Sequence, residues 1–402
     1  MKLLTVIQRF YPVIGGSEIL TKTYLDYLST NHDVTVYTTK AEDIQSFWNS
    51  KAKKIQENPN YDYQIKRYNF LIPTQIKNDS KLNKFPIASN YPGPFSPQIW
   101  RDLVINKNDF DLYFLTAFPY DHLIPAYVSA KKWKKPIISM PLIHQEYPEL
   151  FLTSLRLSIL DNSDRIVSLS NSEKNILIEH GIESEKISVI PPTIISPVEK
   201  LEKSNHLKQN ELQNYNGKTI LFVGTKSIMK GVIFLLQAMM QIWKKRENVR
   251  LILIGPSSPE FEIFFKQIPS KFKEKILNLG IVSEEEKLSA FSLCDVFVLP
   301  SKSESFGLVY VEAWLNSKPV IGCKIKSMEE VIDDKKNGIL TEFGNVPELE
   351  QSISFLLDNP EVCQQFGING KIKSSKFTSI ENLKKFEDLC SQTIQDFNNL
   401  QK

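Results

Sequence analysis

The chain carries little of what would fix its class at a glance. It has only four cysteines in 402 residues, Cys294, Cys323, Cys363 and Cys390. Their spacing forms neither a metal-binding motif nor a disulfide framework. They read as reduced, mostly packed thiols, which implies a cytoplasmic protein. No run of about 18 apolar residues occurs, so no membrane-spanning helix is expected. The segment Met1 to Arg9 is too short and too soon interrupted for a signal peptide. Internal repeats and low-complexity tracts are absent. So is a G-x-G-x-x-G fingerprint after any strand, which sets aside the nicotinamide dinucleotide enzymes. Charge of either sign is nearly balanced, and a net charge of +3 is too small to imply a nucleic-acid partner. The basic excess is partly local. Lys51, Lys53, Lys54, Lys66, Arg67, Lys77, Lys81 and Lys84 fall in one stretch, and Lys131, Lys132, Lys134 and Lys135 flank Trp133. These are either a solvated surface or a contact for an anionic acceptor or an anionic membrane, with peripheral attachment to its inner face.

What is present is a regular alternation. A chain of this length is comfortable as two domains, each with its own core. Short apolar runs at 3–7, 34–38, 112–115, 137–140 and 166–169 read as strands in the first half. Runs at 219–223, 249–254, 296–299 and 319–321 do so in the second. Helical periodicity appears at 18–28, 123–132, 233–243, 284–293, 348–357 and 380–397. Buried strands interleaved with helices predict an α/β protein with parallel sheets. A polar stretch at 196–218 lacks periodicity and divides the series. The expectation is a Rossmann-like domain at 1–195, a linker at 196–218, a second Rossmann-like domain at 219–379 and a final helix at 380–402. The two parallel sheets would face a cleft, because open α/β sheets bind ligands beyond the carboxyl ends of their strands.

The most informative segment runs from Ser301 to Trp314. Glu304 and Glu312 stand eight residues apart around Phe306 and Gly307. A strand ends just before Glu304, and a helix is predicted over 308–315. Glu304 therefore belongs to the loop entering that helix, and Glu312 sits about two turns along on roughly the same face. A helix N-terminus suits anionic or hydroxyl-rich ligands. Glu312 is out of place among Val309, Val311, Ala313 and Leu315, so it needs a partner or a ligand hydroxyl.

This segment resembles the E-x7-E signature of retaining glycosyltransferases of family 4, the group 1 glycosyl transferases with the GT-B fold. The resemblance extends over most of the chain. It implies an enzyme that moves a sugar from a nucleotide-diphosphate sugar to a glycan or lipid-linked acceptor, with retention and without a metal or other cofactor. It also implies roles. Glu304 would bind hydroxyls of the donor sugar and Glu312 the ribose hydroxyls. Ser305, Phe306, Gly307 and Leu308 would line the donor, the first three through backbone amides. The Tyr11 to Glu18 block, with Gly15 and Gly16, resembles the family's glycine loop. In the block from Phe222 to Gly231, Gly224 matches a family glycine. Lys230 matches the lysine that neutralises the leaving diphosphate. Thr225 departs from the pattern, standing where an arginine is common, so Lys226 or helix amides would supply the missing charge. Ile281 follows Gly280 in the segment that lines the base pocket. Thr116 replaces the usual first-domain histidine, which leaves His122 and His144 as packed residues or as candidates to orient the acceptor. A Pro-Pro-Thr turn at 191–193 replaces the usual Pro-Asn-Gly. Asp109 and Asp111 resemble the metal-binding D-x-D of another glycosyltransferase fold, and no metal is expected there. Two rivals remain at this point: a nucleotide-sugar epimerase of GT-B fold, and a catalytically silent GT-B binding or regulatory subunit. Surface polysaccharide synthesis is the expected setting.

Overall fold

The structure, a computed structural model, describes residues 1–13, 15–42, 46, 55, 60–72, 93, 95–106, 109–195 and 215–401. The chain divides into two compact units, Met1–Thr193 with Ser379–Lys402, and Ile194–Thr378. Most of the expected linker, 196–214, lies outside the described residues, as do most lysines of the first basic stretch.

Among the described residues unit 1 is built on seven parallel strands: β1 (Lys2–Val6), β2 (Asp33–Thr39), β3 (Gln64–Tyr68), β4 (Leu112–Thr116), β5 (Ile137–Met140), β6 (Arg165–Ser168) and β7 (Ile187–Val189). Their order is β3-β2-β1-β4-β5-β6-β7. Helices α1 (Gly16–Leu28), α2 (Leu123–Trp133) and α3 (Asn171–Glu179) supply crossovers. The central strands are buried on both faces, which is why they read as continuous apolar runs. Leu4, Val6, Tyr113, Leu115, Ile137 and Ile166 lie in one core with the buried side of α2. The C-terminal helix Ile380–Leu400 also belongs to this unit. Its Phe386 ring packs 4.5 Å from Tyr24 and 4.9 Å from Phe114, and Glu387 and Asp396 each lie 2.7 Å from His32 and Arg165 respectively.

Among the described residues unit 2 holds six parallel strands: β8 (Lys218–Val223), β9 (Val249–Ile254), β10 (Ile276–Gly280), β11 (Val296–Val298), β12 (Val320–Cys323) and β13 (Gly338–Thr341), in the order β10-β9-β8-β11-β12-β13. The relevant helices are α4 (Val232–Lys245), α5 (Glu284–Leu293), α6 (Leu308–Leu315) and α7 (Pro360–Ser374). A capping box between Ser283 and Glu286 starts α5. The rotation of α6 is set by its aromatic residues. Tyr310 and Trp314 are fully buried, each by burial contributing roughly 1.5–3 kcal/mol. Their polar ends are satisfied, Tyr310 Oη by Leu299 O at 2.5 Å and Trp314 Nε1 by Asn337 O at 3.0 Å. That rotation turns Glu312 away from the sheet and toward α5.

In both sheets the chain winds outward in two directions from a central pair, β1/β4 in unit 1 and β8/β11 in unit 2. Loops leaving adjacent strands diverge at such a point and open a crevice at their carboxyl ends.

Candidate active site

In unit 2 the loops after β8 and β11 meet at this crevice. Lys302 N donates to Met229 O at 2.8 Å, and Ser301 Oγ to the same carbonyl at 3.4 Å. These bonds set the two loops in register and bring Lys230 to Glu304. Lys230 Nζ lies 2.7 Å from Glu304 Oε1 and 3.5 Å from Ser303 O. Lys230 is half-buried and Glu304 buried. The backbone of Glu304 is held in turn by Ser327 Oγ, which donates to its carbonyl at 2.7 Å.

Gly307 then turns the chain into α6 with φ of +76°, a conformation that L side chains rarely adopt. A Cβ there would fall 2.6 Å from the Tyr310 ring. The first amides of α6 have no helical acceptor and carry the positive end of its dipole. Leu308 and Ser305 are half-buried at this entry, whereas the Phe306 side chain is buried 5.2 Å from Phe377. Phe306 is therefore a core anchor, able to meet a ligand only through its backbone.

Two turns on, Glu312 Oε1 accepts from Lys287 Nζ of α5 at 2.8 Å. Its Oε2 is buried and has no hydrogen-bond partner among the described residues. Burial pushes the Glu312 carboxyl above its ordinary range, and the Lys287 ammonium pulls it back. At the end of β10, Ile281 stands 69% exposed beside the turn at Gly280. Lys230, Glu304 and Ile281 thus follow the carboxyl ends of β8, β11 and β10, and the helix amides and Glu312 belong to the helix after β11. Such a surface suits a ligand with anionic, polyhydroxyl and flat apolar parts.

The structure corrects one expected member. Lys226 does not supply charge to this surface. It is 1% exposed, its Nζ donates to Asn278 Oδ1 at 2.5 Å, and it lies 5.3 Å from the Phe261 ring centroid. Burial lowers its pKa, the opposite of what a ligand-facing cation requires. Thr225 beside it is exposed and Gly224 half-buried.

In unit 1 the glycine turn has a local cause. A Cβ at Gly15 would sit 2.2 Å from the Glu18 carboxylate, which is buried and lies 2.8 Å from Arg9. Gly15 and Gly16 open α1 at the carboxyl end of β1. Burial drops the His122 pKa to about 3 and keeps the ring neutral, against the opposing effect of the bond that its Nε2 donates to Thr116 O at 2.9 Å. Its Nδ1 is buried and has no hydrogen-bond partner among the described residues. His144 is half-buried, 5.4 Å from the Phe151 ring. The loop carrying it is braced by Glu173, which sequence reasoning passed over. Glu173 accepts from Ile143 N at 2.7 Å and Leu169 N at 2.8 Å, and burial pushes its carboxyl up to about 7. A Ser-x-x-Glu cap pattern at 170–173 was the available signal, but it marks a helix start, not a brace. Asp109 and Asp111 sit at the opposite end of the sheet, where both bind Lys2, at 2.6 and 2.7 Å.

Residues 203–373 match the family described as glycosyl transferases group 1, and residues 14–195 match Glycosyltransferase Family 4. A Klebsiella pneumoniae protein, described as an uncharacterized 41.2 kDa protein in the cps region, is 30% identical over 310 residues, covering 74% of this chain and 78% of that one. An uncharacterized glycosyltransferase of Methanocaldococcus jannaschii is 31% identical over 277 residues, covering 62% and 76%. The chain belongs to the group 1 glycosyl transferases. Among solved structures, Anabaena HepE in complex with UDP and glucose superposes with a TM-score of 0.71 at 18% identity, covering 98% of this chain and 100% of that one. That likeness carries the fold, GT-B with two Rossmann-like parallel-sheet domains. In this glycosyltransferase the group 1 match falls on the unit that pairs Lys230 with Glu304, and the family 4 match on the unit with the Gly15 turn.

Proposed function

We propose that this glycosyltransferase takes a nucleotide-diphosphate sugar as donor and transfers its sugar, with retention, to a hydroxyl of a glycan or glycolipid. The observation that carries the reading is the Lys230–Glu304 pair at the β8/β11 switch point. Breaking the sugar–phosphate bond builds negative charge on the diphosphate oxygens. Lys230 and the amides opening α4 and α6 stabilise it. Glu304, with one oxygen on Lys230, offers the other to sugar hydroxyls, and Glu312 Oε2 accepts from the ribose. The acceptor oxygen attacks the anomeric carbon on the face the diphosphate leaves, and the departing phosphate takes the acceptor's proton. Because Lys230 and backbone dipoles carry the charge, transfer proceeds without Mg²⁺.

The UDP and glucose bound by the Anabaena structure support a nucleotide-sugar donor. The cps-region relative supports a role in surface polysaccharide synthesis. Four free cysteines support action in a reducing compartment. No described helix is long and apolar enough to cross a membrane, and any attachment at an anionic membrane would be peripheral. Replacing Lys230 or Glu304 by alanine should lower transfer by at least about 100-fold with the fold retained. Near-normal turnover in both variants would contradict the assignment.

A further inference from the structure

The two ion pairs of Lys287, one to Glu284 on its own helix α5 and one to Glu312 on α6, are not explained by packing alone. Lys287 is buried, with its ammonium 2.8 Å from Glu312 Oε1 and 2.8 Å from Glu284 Oε2. Glu284 is about half exposed and keeps much of its hydration, so it has little need of a buried cation. Glu312 differs. Its side chain is mostly buried on a helix whose other residues are largely apolar, and Oε2 is left with no partner among the described residues. A carboxylate desolvated in this way takes up a proton unless a cation holds its charge. A protonated carboxyl would offer one acceptor oxygen and one donor, and would lose its fit to a pair of donor hydroxyls.

We propose that Lys287 is the positioning residue of the nucleotide site: it pins Glu312 by one oxygen and leaves the other, as a carboxylate oxygen, to accept from the vicinal diol of a ribose. This rests on the reading of Glu312 as a nucleotide ligand given above. Lys287 touches neither the nucleotide nor the sugar and acts only through Glu312. Its place one turn into α5, after the capping box, holds its ammonium at the Glu312 carboxylate. Among the described residues the charged groups that act on the Glu312 carboxyl are Lys287 and Glu284, both from α5. The other elements packed on α6, namely α7 and β12, present none. Lys287 favours the ionised form of Glu312 and Glu284 opposes it, so the two can be separated by mutation.

The test is calorimetric titration of UDP, GDP and ADP into the wild type, Lys287→Met, Lys287→Arg and Glu284→Gln between about pH 5 and about pH 8.5. The nucleotide that binds best is then repeated as its 2′-deoxy form. For Lys287→Met we expect weaker binding that falls by about tenfold per pH unit below the raised carboxyl pKa, in excess of any fall in the wild type. The penalty for the 2′-deoxy form should shrink in parallel. Lys287→Arg should restore both behaviours. Glu284→Gln should move the acid limb to lower pH, and it carries the test if Lys287→Met does not fold. A Lys287→Met profile that superimposes on the wild type, or an acid limb unmoved in Glu284→Gln, overturns the positioning role and leaves the nucleotide site standing. Wild-type protein that binds none of the three nucleotides overturns the underlying reading as well.

Discussion

Lys226 and Lys230 stand four residues apart in one loop, carry the same side chain, and end in opposite environments. Lys230 closes on Glu304 at the strand ends, whereas Lys226 runs inward to Asn278 and Phe261. The sequence shows two lysines after a strand and a glycine, and nothing in their spacing says which one is buried. The difference arises because Lys226 lies beside Ser257, in bridge contact with the loop after β9, which turns its side chain over α-helical Phe261. Replacing Lys226 by methionine removes a desolvated charge while keeping the stem's packing. Transfer should stay within about threefold of the wild type, and unfolding free energy should change by less than about 1.5 kcal/mol. A 100-fold loss on the order expected for Lys230 would return Lys226 to the site. The carboxylates were easier to read. Glu312 is conspicuous in sequence because apolar residues surround it, and the structure gives it one buried cation and one unused oxygen. His122 looked equally eligible, and a histidine after a strand can serve the backbone as readily as a ligand: here one ring nitrogen is held by Thr116 and the other has no partner among the described residues.

Among the elements, every interior strand was legible as an apolar run and no edge strand was. The nine apolar runs correspond to β1, β2, β4, β5, β6, β8, β9, β11 and β12, while β3, β7, β10 and β13 are the two edges of each sheet. An interior parallel strand is covered by helices on both faces, and so its apolar run is unbroken. β3 and β10 are only partly buried and carry Lys66, Arg67 and Asn278 in their runs, so the signal fails. Helix starts were legible to within a residue or two where caps or periodicity were strong, as at α5 and α6. α7 was missed, since its polar residues leave little periodicity and two glycines let it lie close on α6. The turn into α6 gives the prediction at this scale. Gly307→Ala forces a side chain into a left-handed conformation and against Tyr310. It should cost about 1–3 kcal/mol from backbone strain alone, read by urea unfolding, and should weaken donor binding because Glu304 and the first amides of α6 move together. Unchanged stability and binding would mean that the loop relaxes without touching the site.

For the whole molecule, the chain builds one sheet order twice and then returns. The first six strands of unit 1 and the six of unit 2 share the order of a doubly wound fold, each with its switch point between the first and fourth strands. The return is made by Ile380–Leu400, which completes the core of unit 1 after unit 2 has been laid down. Phe386 is fully buried against Tyr24 and Phe114. Phe386→Ala should therefore destabilise unit 1 by about 3–5 kcal/mol, seen as an earlier transition in unit 1 and an unmoved one in unit 2. Equal shifts in both units would show that the helix serves them jointly. The fold class was readable because two alternating series, split by a polar stretch, admit few other arrangements. The acceptor was not readable, since 41–100 follows no interpretable pattern and much of it lies outside the described residues. The central claim is a nucleotide-sugar site built from Lys230, Glu304 and Glu312. Its most direct test is calorimetric binding of UDP, GDP and ADP, with and without Mg²⁺, to the wild type and to Glu312→Ala. The account predicts that one nucleotide binds tightly, that Mg²⁺ does not change its affinity, and that Glu312→Ala abolishes most of the binding. Binding of none of them, or full binding to Glu312→Ala, would contradict it.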